Sequence, residues 1–313
     1  MQAGGVKNMG DNDTIHPRDR ISKLPDFIVH HIMPFLSAKE GLLIGLVNVG
    51  YYFPFLDEWI EFVVGNEVKE LDFDVQTDIE TIYTLPRVLF SAKWVTTLKL
   101  SGCKLKLPSD TLKLHSLRSL ALVEVRVNRE MIQKLVSECL LLEELSMVRC
   151  HDMKCIYISK AFKLKIININ VSPYIFESIE IDVPSLQQLK LGSTTLRGPI
   201  VIDGCLNLSM LQLSGLTLND QEFHRIFSKL PLLENLNVLC CPCLESVTIS
   251  SDRLEKLSIE KCFNLKAIDV HTPNLLYFSF VNNPIPVSSM NAPRLRKVEL
   301  GKIDPDTRWY LET

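Results

Sequence analysis

The sequence predicts an α/β fold, a leucine-rich-repeat solenoid with a parallel concave sheet and an outer side of mixed strands and helices. Three observations predict it. A pattern of one leucine-like residue, two variable residues and two alternating apolar residues occurs eleven times between Val68 and Leu300. Successive copies start at most 27 residues apart, Val68 to Val95, and at least 20 apart, Leu275 to Leu295, within the leucine-rich-repeat range of about 20–29. Cysteine or asparagine recurs eight residues after a start, at Cys103, Cys150, Cys241, Cys262 and Asn283.

The inner strands follow from the first observation. The clearest copies are Leu117-Arg-Ser-Leu120-Ala-Leu122, Leu142-Glu-Glu-Leu145-Ser-Met147, Leu186-Gln-Gln-Leu189-Lys-Leu191 and Leu233-Glu-Asn-Leu236-Asn-Val238. Alternation turns their apolar side chains to one face. A lone strand cannot bury that face, whereas copies stacked above and below it can. The cysteine or asparagine position lies where the chain leaves the strand, and a buried polar side chain there satisfies backbone groups of the turn. Val125, Leu216 and Ile303 occupy it in other copies.

Outer strands follow from a second, similar pattern half a period later: Met153-Lys-Cys-Ile156-Tyr-Ile158, Phe176-Glu-Ser-Ile179-Glu-Ile181, Leu244-Glu-Ser-Val247-Thr-Ile249 and Leu265-Lys-Ala-Ile268-Asp-Val270. These pieces are too short for helices and alternate in hydrophobicity. The longer intervals instead predict helices. Asn128 stands as a cap before Met131, Ile132, Leu135 and Val136, and Asn219 stands likewise before Phe223, Ile226 and Phe227. Residues 77–90 predict a third helix, broken by Pro86.

Composition restricts the partners. Lys+Arg 34 against Asp+Glu 37 leaves a net charge of -3, with no electrostatic reason to bind nucleic acid. The longest dense apolar run, Gly41 to Val47, is far shorter than the roughly 20 residues of a membrane span, so no membrane partner is expected. Residues 1–17 are polar and read as a disordered leader rather than a signal peptide. Nine cysteines, four of them at one repeated position, favour reduced thiols and a nuclear or cytoplasmic location. An extracellular repeat receptor would require paired cysteines and a signal segment.

Upstream of the repeats, Leu24, Ile28, Ile32 and Leu36 form one helical stripe, with Pro25 in its first turn and Pro34 placed to kink or end it. This stretch resembles the start of an F-box. The repeats resemble those of the plant F-box/leucine-rich-repeat family and its FBD-type relatives, notably in Val68-Lys-Glu-Leu71-Asp-Phe73, Leu98-Lys-Leu100-Ser-Gly-Cys103 and Leu141-Leu-Glu-Glu-Leu145. The family's frequent carboxy-terminal extension has no counterpart, so the resemblance is to a truncated member. It implies a small helical F-box-like domain over residues 18–57, a solenoid over 58–303 and a tail over 304–313. It also implies the substrate-recognition subunit of an SCF-type E3 ubiquitin ligase, which performs no bond chemistry. In that case Leu24, Pro25, Ile28, Ile32 and Leu36 would contact the SCF adaptor subunit, and through it the cullin scaffold, while the repeats hold a target protein. Where the family's F-box carries a basic, Trp-containing stretch, Leu46 to Leu56 reads LVNVGYYFPFL. A second reading therefore stands beside the first: a repeat module that binds a partner but has a decayed F-box and no ligase role.

No catalytic residue, metal site or cofactor is expected. The chain contains no G-x-S-x-G, phosphate-binding glycine-rich loop or H-E-x-x-H, and Cys240-Cys241-Pro242-Cys243 lacks the paired spacing of a zinc site. Adjacent His30 and His31 diverge by about 100° on a helix and do not share an ion. The candidate binding residues are those that point outward from the inner strands. These run from Glu70, Asp72 and Asp74 through Thr97, Lys99 and Ser101 to Lys297 and Glu299. Their middle is rich in amides, and Asn168, Asn170, Gln188, Gln212, Asn235 and Asn237, with Tyr277, are the expected partner-binding set. Such a face offers many hydrogen bonds with little desolvated charge, which suits a protein partner.

Overall fold

The computed structural model describes residues 42–48, 56–57, 60–61, 64–76, 82–171, 176–193, 196–281 and 287–301; over 42–48 it describes the backbone. Twelve of its strands form one parallel sheet. In spatial order these are β1 (Leu42–Asn48), β2 (Glu70–Gln76), β3 (Thr97–Ser101), β4 (Ser119–Val123), β5 (Glu144–Val148), β7 (Ile166–Asn170), β9 (Gln188–Gly192), β11 (Met210–Ser214), β12 (Asn235–Leu239), β14 (Lys256–Glu260), β16 (Tyr277–Val281) and β18 (Lys297–Gly301). Chain order and spatial order coincide, and the missing numbers belong to the opposite wall. There, β6 (Cys155–Ser159), β8 (Ser178–Asp182) and β10 (Ile200–Asp203) form one three-stranded sheet, and β13 (Ser246–Ser250), β15 (Ala267–His271) and β17 (Val287–Asn291) form another. Helices α1 (Arg129–Glu138) and α2 (Asp220–Phe227) complete that wall. A helix is about 10 Å wide, about twice the 4.8 Å between strands, so the wall that carries helices is the convex one.

Register explains the core. Leu98, Leu120, Leu145, Ile167, Leu189, Leu211, Leu236 and Leu257 are partners from strand to strand, and Leu100, Leu122, Met147, Ile169, Leu191, Leu213, Val238 and Ile259 form a second column. Nearly all the buried apolar side chains, from Leu56 to Phe280, form one continuous cluster, as stacking requires. The outer strands add Ile156, Ile179 and Ile200 and then Ile158, Ile181 and Ile202, all within 2% of full burial.

Each inner strand ends in a turn that repeats. The N–H groups of Gly102, Glu124, Arg149, Gly215, Cys240 and Lys261 donate to the final carbonyl of the next inner strand at 2.7–3.0 Å. All six residues have φ between 51° and 66°. At Gly102 the turn tolerates no other residue, because a Cβ would stand 1.9 Å from the Val75 carbonyl oxygen. In the next position the Cys150, Cys241 and Cys262 thiols are buried and lie 3.5–4.0 Å from backbone carbonyls of their own and the neighbouring coil. Val125 and Leu216 fill the same slot with no exposed surface. Asn283 and Ile303 lie outside the described residues.

Both expected helices form as the sequence indicates. Asn128 Oδ1 accepts from the Met131 N–H, and Asn219 and Glu222 cap each other's backbone N–H groups reciprocally. Over 82–91 the third helix is replaced by an extended segment and one 3-10 turn, Arg87–Ser91. Pro86 forces extended backbone on the residue before it, so helix can begin only after it. Residues 77–81 lie outside the described residues.

The expected helical domain over 18–57 requires a correction. Its residues 42–48 form a strand that pairs in parallel with β2, Leu42 with Leu71 through Asn48 with Gln76, so the sheet begins before residue 58. A short apolar run such as Leu42 to Val47 has no period that separates strand from helix, and the exposed backbone edge of β2 supplies hydrogen-bonding partners that favour the strand. Leu24, Pro25, Ile28, Ile32 and Leu36 lie outside the described residues. Among the described residues, no helix is long and apolar enough to cross a membrane.

Candidate protein-binding face

Residues of the inner strands that turn away from the core form three parallel rows on the concave side, because the parallel register is unbroken from β2 to β18. In the first row Ile166, Gln188, Met210 and Asn235 are consecutive, and in the second Asn168, Lys190, Gln212 and Asn237 are consecutive. Five of the seven expected residues are thereby gathered onto four neighbouring strands. Asn170 stands on the same strands in the third row, where its side chain lies over Gly192. Tyr277 does not belong to this group; β14 separates its strand from β12.

Charge pairs engage part of each end of the face. Lys99 Nζ is 2.8 Å from Asp72, which holds the lysine pKa above its ordinary value. At the far end Tyr277 donates to Glu299 at 2.7 Å and Lys297 pairs with the same carboxylate at 2.6 Å. Those hydrogen bonds hold the Glu299 carboxyl below the usual carboxylate range, the one from Lys297 first. Along the rim, Glu143 is bridged by Lys165 at 2.7 Å and by Arg118 at 2.5 Å, which lowers its pKa through the same kind of hydrogen bonding.

The middle is less committed. Asn168 donates to the Ser146 hydroxyl at 3.2 Å. Asn237 Oδ1 is sealed from solvent without a hydrogen-bond partner. A buried acceptor in that condition is costly. Lys190 stands between Asn168 and Gln212 and forms no ion pair among the described residues. In its first two rows the middle is therefore an amide field with one cation and two apolar side chains, Ile166 and Met210. The expected set omitted those three, although the same alternation that selects Asn168 and Gln188 selects them as well.

The cysteines have structural surroundings. All nine are free, and Cys103, Cys139, Cys150, Cys205, Cys241 and Cys262 are buried. Burial pushes the Cys103 and Cys139 thiols up to about 12 and the Cys150 thiol up to about 11. Cys241 shares a hydrogen bond with Cys262 in the next coil, and that bond together with burial raises the Cys241 pKa. Cys150 and Cys241 thus serve the turns of the solenoid. No group of three or more His, Cys, Asp or Glu side chains able to hold a metal ion occurs among the described residues.

Comparison with known proteins agrees with this architecture. The chain is similar to the putative F-box/LRR-repeat protein At3g18150 of Arabidopsis thaliana, at 22% identity over 90% of this chain and 72% of that protein. It is also similar to the F-box/LRR-repeat protein At5g02910, at 22% identity over 79% of this chain, and to the putative FBD-associated F-box protein At1g61330, at 25% identity over 64%, both from the same plant. It spans 63% and 43% of the lengths of those last two, less than two thirds of each. None of these names states a catalytic activity. The model of the At1g61320/AtMIF1 LRR domain matches residues 45–188 and 178–306, well over half of the sequence and the same stretch that forms the stacked coils. The chain belongs to this leucine-rich-repeat domain family.

Proposed function

We propose that the chain recognises a target protein on the concave face and presents it to an SCF-type ubiquitin ligase. The observation that carries this reading is the F-box/LRR-repeat naming of a relative aligned with 90% of the chain. In this reading Leu24, Pro25, Ile28, Ile32 and Leu36 bind the adaptor subunit, which links them to the cullin scaffold. The target is held by Asn168, Asn170, Gln188, Gln212, Asn235 and Asn237 around Lys190. Tyr277 is engaged with Glu299 and contributes at the border. Many hydrogen-bonding groups on a rigid sheet give specificity through unpaired groups when the wrong chain binds. Buried thiols at the coil turns suit a reducing compartment, the nucleus or the cytoplasm.

A second reading has its own support. Residues 42–48 are used as a strand of the repeat sheet and so are withdrawn from an F-box helix. In that reading the chain binds a partner and has no ligase role. A pull-down of the intact chain with the adaptor subunit separates the two. Adaptor binding that is lost in the Leu24→Asp, Ile28→Asp double variant is the expected result. No binding, or binding undiminished in that variant, removes the ligase reading and leaves the second.

A further inference from the structure

One row of solvent-facing side chains on the solenoid is apolar, and it lies away from the concave face. Inner strands are entered through a four-residue turn whose last residue is the buried leucine that starts the repeat. The N–H of that leucine donates to the carbonyl of the first turn residue: Leu142 to Cys139 at 2.9 Å, Leu164 to Ala161 at 3.4 Å, Leu186 to Val183 at 3.1 Å, Leu208 to Cys205 at 3.2 Å and Leu233 to Leu230 at 3.3 Å. The first central residue of each of these turns projects outward, whereas the second varies: Leu141 and Ser185 are half-buried. Over the five coils that lead into β5, β7, β9, β11 and β12, the first central position holds Leu140, Phe162, Pro184, Leu206 and Pro231, and the second holds Leu141, Lys163, Ser185, Asn207 and Leu232. Phe162 is 77% exposed, Leu140 69% and Leu206 60%. The row is bounded, because the corresponding residues before β4 are His115 and Ser116 and those before β14 are Asp252 and Arg253. Proline suits the turn through its fixed φ, but nothing in the turn calls for leucine or phenylalanine. A contiguous apolar row of this kind marks a surface that another molecule covers.

Spacing selects the shape of that molecule. Coils repeat at the strand separation of about 4.8 Å, close to the 5.4 Å rise of one helical turn and shorter than the roughly 6.8 Å between same-face residues of an extended chain. A helix laid along the row therefore offers one apolar residue to each coil, and about 13 residues of it cover the roughly 19 Å from the first coil to the fifth. Charge selects its flanks. Lys160 and Lys163 lie beside Phe162 and are exposed, and neither forms an ion pair among the described residues. The other nearby cations are committed, Lys165 to Glu143 and Lys229 to Asp203. The exposed Glu234 gives the far end of the row the opposite sign.

We propose that this edge is a docking site for an amphipathic helix of a partner protein, with one apolar residue per turn and carboxylates beside the residue seated on Phe162. The site is separate from the concave face and does not depend on the ligase reading. Its test uses the full chain and three labelled helical peptides followed by fluorescence anisotropy. One carries leucine at each turn with glutamates beside the stripe, one has lysines in place of the glutamates, and one has the glutamates but its leucines spread around the helix. The first peptide should bind at least ten-fold more tightly than the other two. Phe162→Glu with Leu206→Glu should weaken it at least ten-fold, and Lys160→Glu with Lys163→Glu should reverse the preference between glutamate and lysine peptides. All four positions are exposed, so unchanged circular dichroism is expected of the variants. Equal binding of the three peptides, no binding, or indifference to Phe162→Glu with Leu206→Glu would overturn the proposal. So would a wild-type dimer that those two substitutions turn into a monomer, which assigns the edge to a second copy, or wild-type binding to phosphatidylserine vesicles that they abolish, which assigns it to a lipid surface.

Discussion

Strands β16 and β18 carry the same alternating pattern in the same register, Phe278 opposite Val298 and Phe280 opposite Leu300. Their fates differ: the two phenylalanines are 2% and 0% exposed, whereas Val298 and Leu300 are 48% and 57% exposed. β16 is flanked by β14 and β18, and β18 pairs with β16 alone among the described residues. Burial is thus a property of the stack and not of the strand, as expected where each coil contacts only its neighbours.

That contrast sets the order of expected effects. Leu213 is fully buried between Leu191 and Val238, and Leu213→Ala should cost about 2–5 kcal/mol, read as a lowered urea midpoint. Interior thiols make the stack sensitive to alkali. Burial pushes the Cys103 thiol from its ordinary value near 9 up to about 12, so its neutral form stabilises the fold fully below pH 9, and that stability is lost as pH rises from 9 towards 12. By pH 10 the loss should be about 1 kcal/mol, and the fall in urea midpoint between pH 8 and pH 10 should shrink in Cys103→Ala. At pH 8 a thiol reagent should label the exposed Cys243 quickly and Cys103 only after unfolding. Asn219→Ala, which removes a reciprocal cap on the convex wall, should cost about 1 kcal/mol. Leu300→Ala should cost under about 1 kcal/mol, because over half of that side chain already faces water. A loss at Leu300 equal to that at Leu213 would show that another part of the chain covers β18.

The legible features were those with local causes. The caps at Asn128 and Asn219 sit directly before helical stripes, and the outer strands repeat the inner pattern, so both were readable from residue order. The edge strand 42–48 was not, because its partner β2 is what decides its conformation. In Leu140-Leu141-Leu142 the repeat pattern picks Leu142 as the inward leucine, and the turn indeed hides Leu142; what the pattern does not tell is that Leu140 is left exposed. Likewise Glu124, Arg149, Cys240 and Lys261 take the left-handed backbone that Gly102 and Gly215 mark openly, and only the stacked turns reveal that all six hold one position. The concave face was legible in outline through alternation, but which of its groups are satisfied, as at Tyr277, and which are not, as at Asn237, depends on neighbours in other coils.

The central claim is that the stacked inner strands present one recognition face. Its most direct test compares two charge-introducing variants in capture of the target protein recovered with the wild-type chain. Asn168→Lys with Asn237→Lys alters the concave side, and Glu180→Lys with Thr248→Lys alters the convex side. The account predicts at least a ten-fold loss of capture for the concave pair and none for the convex pair. Equal capture by both, or loss confined to the convex pair, would contradict it.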